Sequence, residues 1–302
     1  MKAATATKPV LGVTHTTPTF DVPQNACDCH THIFGPDSKF PLSPKRLYTP
    51  GPASIDDLAA MHQAIHIERV VIVHPSPYGA DNAVTVDAVR KLGGRARGVA
   101  VIDENTTDAA LDDMHAAGIR GVRVNIESFG EITPAEVSHR LKWAAERVAR
   151  LGWHVQTYTN LGILAPLVDA IAKLPTTLVV DHFGRPKAEH GMAQPGLAEF
   201  LALLRSGKVY VKISALYRIS QLPNYLDALP IARAMIAANP DRILWGSDWP
   251  HPGAAKRDPA VLEPFRPEDN GEALNRLAQW TQSAAELKKI LVDNPARLYQ
   301  FS

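Results

Sequence analysis

The run Ala26-Cys27-Asp28-Cys29-His30-Thr31-His32 has the character of a first strand with a polar tail. In a doubly wound open sheet, a Gly-rich phosphate-binding turn would normally follow that strand. Here His30-Thr31-His32 occupies the place. A histidine pair suits a closed barrel instead, because barrel enzymes gather their reactive side chains at the carboxyl ends of the strands. Period-two alternation sends Asp28, His30 and His32 to one face and Cys27, Cys29 and Thr31 to the other. With the histidines inward, the cysteines are expected to pack outward against helices, which argues against a Cys-x-Cys metal clip.

Seven more runs of the same kind follow: residues 70–73, 98–102, 121–125, 154–158, 178–182, 209–213 and 243–247. Most are apolar and β-branched on both faces, as parallel strands covered on both sides require. The segments between them have helical periodicity and readable ends. Ser54 stands three residues before Asp57, and Thr133-Pro134-Ala135-Glu136 places a cap, a first-turn proline and a capping-box glutamate in order. Gly118 and Gly152 stop the helices before them. Eight such pairs predict an α/β protein built as a single (β/α)8 TIM barrel over residues 26–302. Residues 1–25, rich in Thr and Pro, are expected to form a flexible N-terminal arm.

Of the 302 residues 45% are hydrophobic, enough for a large core, and 32 Lys and Arg face 31 Asp and Glu. A net charge of +1 excludes a broad basic surface for nucleic acid. No stretch approaches the ~20 apolar residues that span a bilayer. The chain has two cysteines and no disulfide framework, so a reduced, cytoplasmic setting is expected. Nothing in the sequence specifies an oligomeric state.

The polar residues fall at strand ends. His30 and His32 close the first strand, His182 follows the sixth in Asp181-His182-Phe183-Gly184-Arg185-Pro186, and Asp248 follows the eighth in Trp245-Gly246-Ser247-Asp248-Trp249-Pro250-His251-Pro252. Three imidazoles and a carboxylate between indoles can supply electrophilic donors and a general base. Ser76 follows the second strand, Tyr158 closes the fifth, and Lys212 lies within the seventh, with Tyr217 and Arg218 just beyond. Arg123, in an otherwise apolar strand, requires an anionic partner: a substrate group, or else an ion pair with Asp28 or Glu127. His62, His66, His115 and His139 lie in helical segments and are assigned to surface or packing, while His154 opens the fifth strand at the opposite end from the chemistry. Residues 294–299 are expected to pack the end of the chain without a catalytic part.

This ordered set resembles the amidohydrolase superfamily, and within it the lactonase branch of the pyrone-dicarboxylate hydrolases. The resemblance runs from about Cys29 to Tyr299 and includes Phe34-Gly35-Pro36, residues 40–45 and Asp81-Asn82-Ala83. It implies hydrolysis of a cyclic ester in aromatic-compound degradation. Asp248 would take a proton from water, His30, His32 and His182 would polarise the lactone carbonyl, and Tyr48, Ser76, Arg123, Tyr158 and Arg218 would bind the anionic substrate. That family carries a further arginine shortly after the position of Arg123, and residues 125–130 of this chain contain no cation. A muconolactone-type or sulfonated lactone therefore fits beside the pyrone dicarboxylate. The resemblance implies a reaction needing no cofactor. Zinc or another divalent metal on His30, His32, His182 and Asp248 is the competing reading. A zinc-dependent decarboxylase of the aminocarboxymuconate-semialdehyde type, a sugar-lactone isomerase and a non-catalytic lactone-binding barrel are the alternatives.

Overall fold

A computed structural model describes residues 9–128, 130, 132–253 and 257–302. Among them the apolar runs form eight strands: β1 (Cys27–Thr31), β2 (Arg69–Val73), β3 (Ala96–Ala100), β4 (Ile119–Asn125), β5 (His154–Tyr158), β6 (Leu178–Val180), β7 (Val209–Ile213) and β8 (Ile243–Trp245). Each pairs in parallel with the next. Helices follow in turn: α1 (Ile55–Ala64), α2 (Ala83–Leu92), α3 (Asp108–Ala117), α4 (Pro134–Val148), α5 (Val168–Ala172), α6 (Leu197–Arg205), α7 (Leu229–Ala238) and α8 (Asn270–Trp280). This is the single (β/α)8 barrel that the sequence predicts.

The helix ends obey local chemistry. The Ser54–Asp57 and Thr133–Glu136 pairs form reciprocal capping boxes at α1 and α4. Gly118 closes α3 in the left-handed conformation.

The barrel closes at its mouth, between β1 and the segment after β8. Asp248 N donates to His30 O at 2.9 Å, His32 N donates to Trp249 O at 2.8 Å, and Thr31 and Trp249 form a parallel bridge. Below this seam, Cys27 and Cys29 lie in a fully buried layer with Val71, Val73, Val99, Val179, Tyr210 and Leu244. Tyr299, the last residue of the C-terminal helix Asn294–Tyr299, and Phe301 just beyond it seal the layer from beneath. Arg97 donates to the carbonyls of Tyr299 and Gln300 and so fastens the plug.

The expected alternation along β1 does not hold. Asp28 pairs with Val70 but Thr31 with Ile72, so one extra residue is inserted between them. This bulge lets Cys29 and His30 both turn inward and leaves Asp28 facing the helices. The cysteines therefore line the barrel interior, and Asp28 is not part of the histidine face. Asp28 Oδ2 lies 3.2 Å from His62 Nε2 on α1, and Oδ1 accepts from the backbone N–H groups of Ser247 and His30. His62 is thus the buried partner of a carboxylate that pins β1 to β8.

Of the N-terminal arm, residues 1–8 lie outside the described residues. Residues 15–19 lie against the start of α8, where Thr16 N and Oγ1 donate to Asp269 and Thr19 N donates to Asn275 Oδ1 at 2.8 Å.

The seam tolerates no side chain at Gly246. A Cβ there would stand 2.7 Å from His30 Cβ and 2.9 Å from His30 N. Backbone cannot swing aside as a side-chain tip can, so Gly246→Ala is expected to cost roughly 1–3 kcal/mol. Chemical denaturation of the two chains measures this, and an unchanged midpoint would contradict the close approach.

Candidate active site

Asp248 leaves the end of β8 with φ +65°, and His182 leaves β6 with φ +50°. Left-handed backbone at non-glycine residues is costly and is retained where surrounding bonds over-determine it. Asp248 is held by its N–H bond to His30 O and by accepting His251 N at 2.7 Å. Ser247, beside it, donates its N–H to Asp28 Oδ1 at 2.9 Å.

The carboxylate of Asp248 is fully buried and divides its work between its two oxygens. Oδ2 accepts from Tyr217 OH at 2.5 Å and from Arg218 Nε and Nη2 at 3.1 and 2.9 Å. Oδ1 faces three imidazole Nε2 atoms: His30 at 3.4 Å, His32 at 3.5 Å and His182 at 3.7 Å. Burial by itself would favour the neutral acid. Arg218 and the imidazoles outweigh it and hold the carboxyl well below the usual range. Desolvation acts the other way on the histidines, pushing His30 down to about 4 and His182 well below its ordinary value. The centre is a carboxylate facing the neutral imidazoles of His30 and His182, with His32 beside them.

Beneath it lies a buried polar floor. Asp181 Oδ2 accepts from Arg123 Nε and Nη2 at 3.2 and 3.0 Å and from Gln156 Nε2 at 3.1 Å. Lys212 Nζ donates to Gln156 Oε1 at 2.6 Å and lies 3.7 Å from Asp181 Oδ1. Burial lowers the Lys212 ammonium to about 8. Arg123 thus has an ion-pair partner in Asp181, in place of the Asp28 or Glu127 weighed from sequence.

The remaining sequence candidates gather around the same centre. Tyr158 meets His182 edge-on at 5.4 Å, and Arg123, Arg185 and Arg218 all stand 5.2–5.7 Å from its ring. Tyr48 is buried against Ser76, with Arg123 near enough to act on its hydroxyl, which burial pushes up to about 12. Asp181, Gln156, Ser214 and Arg185 join this centre with no strand-end pattern of their own to mark them. For Asp181 and Arg185 the signal in the sequence is their adjacency to His182. His74 is fully buried between Thr85 Oγ1 and Gly79 O.

The donor set suits a divalent cation. Ligand atoms of His30, His182 and Asp248 lie within 4.8 Å of one another, and His30 Nε2 and Asp248 Oδ1 have no hydrogen-bond partner. Three imidazole nitrogens and a carboxylate oxygen form a set that zinc accepts.

A family model described as amidohydrolase matches residues 27–301. The chain is 39% identical over 293 residues to 2-pyrone-4,6-dicarboxylate hydrolase of Comamonas testosteroni, covering 93% of this chain and 92% of that one. It is 37% identical over 285 residues to 4-sulfomuconolactone hydrolase of Rhizobium radiobacter, covering 93% and 91%. The apo crystal structure of an Agrobacterium tumefaciens protein superposes with a TM-score of 0.80 at 26% identity, covering 94% and 99%.

Burial holds His74 and His154 down to about 3 and His251 to about 4. Below about 6.5 the unfolded chain takes up protons that these folded, neutral rings refuse. Their contribution to stability is full above that pH and falls as pH drops toward the folded values. Denaturation at pH 7.5 and at about pH 5 is expected to differ by on the order of 1–2 kcal/mol per histidine. Equal stability at both would contradict the neutral rings.

Proposed function

The chain belongs to the amidohydrolase family, and on that premise we propose that it hydrolyses an anionic lactone, opening the ring ester to a carboxylate. The observation that carries this reading is the buried Asp248 carboxylate. Tyr217 and Arg218 fix one of its oxygens, and three imidazoles face the other.

In this mechanism water sits between Asp248 Oδ1 and the lactone carbonyl carbon. Asp248 takes the proton as the water oxygen attacks. The developing oxyanion is met by imidazole N–H, a donor already oriented and shielded from solvent. The ring C–O bond then breaks, and the departing oxygen recovers the proton from Asp248. A divalent cation held by His30, His32, His182 and Asp248 would, when bound, polarise the carbonyl and acidify the water.

The anionic groups of the substrate are bound at the Tyr158 wall. Arg123, Arg218 and Arg185 around that ring each already hold one carboxylate, of Asp181, Asp248 and Glu127 in turn. Arg185 differs in keeping its Nε without a partner. We assign that guanidinium to an anionic group of the substrate, in the part for which residues 125–130 carry no cation. Tyr48 and Ser76 complete the wall below. The substrate class is that of the relatives' lactones, a small ring carrying carboxylate or sulfonate groups formed in breakdown of aromatic compounds. The described chain contains no helix long and apolar enough to cross a membrane.

Hydrolysis of a panel holding the pyrone dicarboxylate, muconolactones and a sulfonated lactone tests the reading, before and after chelation with metal content measured. Asp248→Asn is expected to lower kcat by about 10²–10⁴-fold while lactone binding persists. Near-wild-type turnover would remove Asp248 as the base. Arg185→Met is expected to raise KM for anionic lactones about tenfold or more with kcat little changed. An equal effect on an uncharged lactone would remove Arg185 as an anion anchor.

A further inference from the structure

Between β8 and α8 the chain passes beside the proposed reaction centre, and one short piece of that passage is inside out. Leu262–Glu263 pairs in parallel with Thr49–Pro50, Leu262 opposite Thr49 and Glu263 opposite Pro50. Alternation along such a pair puts Leu47 and Leu262 on one side and Tyr48 and Glu263 on the other. The exposures follow that division: Leu262 is 62% exposed and Leu47 is exposed with it, while Tyr48 and Glu263 are buried, Glu263 at 5%. A strand that only covered the barrel would turn its leucine down and its carboxylate up. The passage is also seated close to the chemistry. Phe265, two residues on, stacks on Phe34 at 5.7 Å, and the Phe34 ring stands 6.2 Å from that of His32.

Burying Glu263 is costly, because neither of its carboxylate oxygens has a hydrogen-bond partner. Arg257 offsets the charge without satisfying the oxygens. Its Nε stands 4.0 Å from Glu263 Oε2, beyond hydrogen-bond range, and its guanidinium lies 4.3 Å from the centre of the Tyr48 ring. The side of the pocket at Tyr48 therefore holds two acceptor oxygens with nothing to accept. A carboxylate only accepts, so a ligand group that meets Glu263 has to bring a hydrogen. A carboxylate or sulfonate in the same place would stand against like charge in a site closed to water. We infer that Glu263 is a specificity-determining residue, accepting a hydroxyl or N–H of the lactone beside Tyr48 and excluding an anionic group from that side.

This rests on the hydrolytic reading above and narrows its substrate. The anionic groups go to the guanidiniums around Tyr158, and the part of the ring that reaches Tyr48 carries a hydrogen-bond donor.

Ring analogues that cannot be hydrolysed test this by calorimetric titration of the full chain. The pair 3-hydroxybenzoate and benzene-1,3-dicarboxylate share one carboxylate and differ in the second group, with benzoate as the reference for neither. The unsubstituted chain is expected to bind the hydroxybenzoate about tenfold or more tightly than the dicarboxylate. Glu263→Gln keeps an acceptor and removes the charge, so the dicarboxylate is expected to gain about tenfold while the hydroxybenzoate changes little. Glu263→Met removes both and is expected to bring the hydroxybenzoate down to the affinity of benzoate. An unsubstituted chain without preference for the hydroxybenzoate overturns the inference, whether or not the variants fold. So does a Glu263→Gln chain that keeps the preference undiminished. Because no ester is hydrolysed in the titration, failure of the lactone panel and failure of this inference are separate results.

Discussion

Two backbone hydrogen bonds, Asp248 N to His30 O and His32 N to Trp249 O, carry more of this molecule than their number suggests. They are the last links that turn an eight-stranded sheet into a barrel, and they lie between the residues of the proposed reaction centre. Closing the fold and assembling the site are therefore one event. The seam is reinforced from outside by Asp28, whose carboxylate accepts Ser247 N and His30 N and meets His62 on α1. Gly246 is required at the same place because strand 1 passes against its Cα. A displacement of the seam would move Asp248 and two histidines together.

The electrostatics follow from this burial. The interior sets the carboxylates of Asp28, Asp181 and Asp248 among Arg123, Lys212, Arg218 and the buried histidines. These groups are held in place by several bonds each in a region of low dielectric. Donors fixed in this way need little reorganisation when charge develops beside them. Burying these groups is tolerable only because each carboxylate has several donors.

Much of this was legible in the chain. The eight strands stand out because parallel strands in a barrel are apolar on both faces, and the capping residues mark α1 and α4. His30, His32, His182 and Asp248, which the structure brings together, stand out because they lie at or just beyond strand ends. What the sequence hid depends on backbone irregularity or on contacts between distant strands. The bulge in β1 breaks the period-two rule, so Asp28 was placed with the histidines and the cysteines with the helices. Arg123 announced its need for an anion but not that Asp181, 58 residues away, would supply it. Lys212 read as one charge in a strand, since its meaning comes from Gln156 and His30 on two other strands. Arg185 sits in a turn whose path no local pattern specifies.

The plug beneath the barrel has a consequence for how the chain is made. Tyr299 and Phe301 seal a layer built from six strands, including β1, yet they are synthesised after every one of those strands. The bonds at the seam likewise join segments more than 200 residues apart in sequence. Until residues 248–301 have joined the fold, the chain can form α/β units but has neither its floor nor its closing strand contact. Until then the cysteines and the apolar inner faces of the strands stay open to solvent and to other chains. Closure of the barrel is therefore a late, long-range step of folding, and the interval before it is when the chain is most open to aggregation.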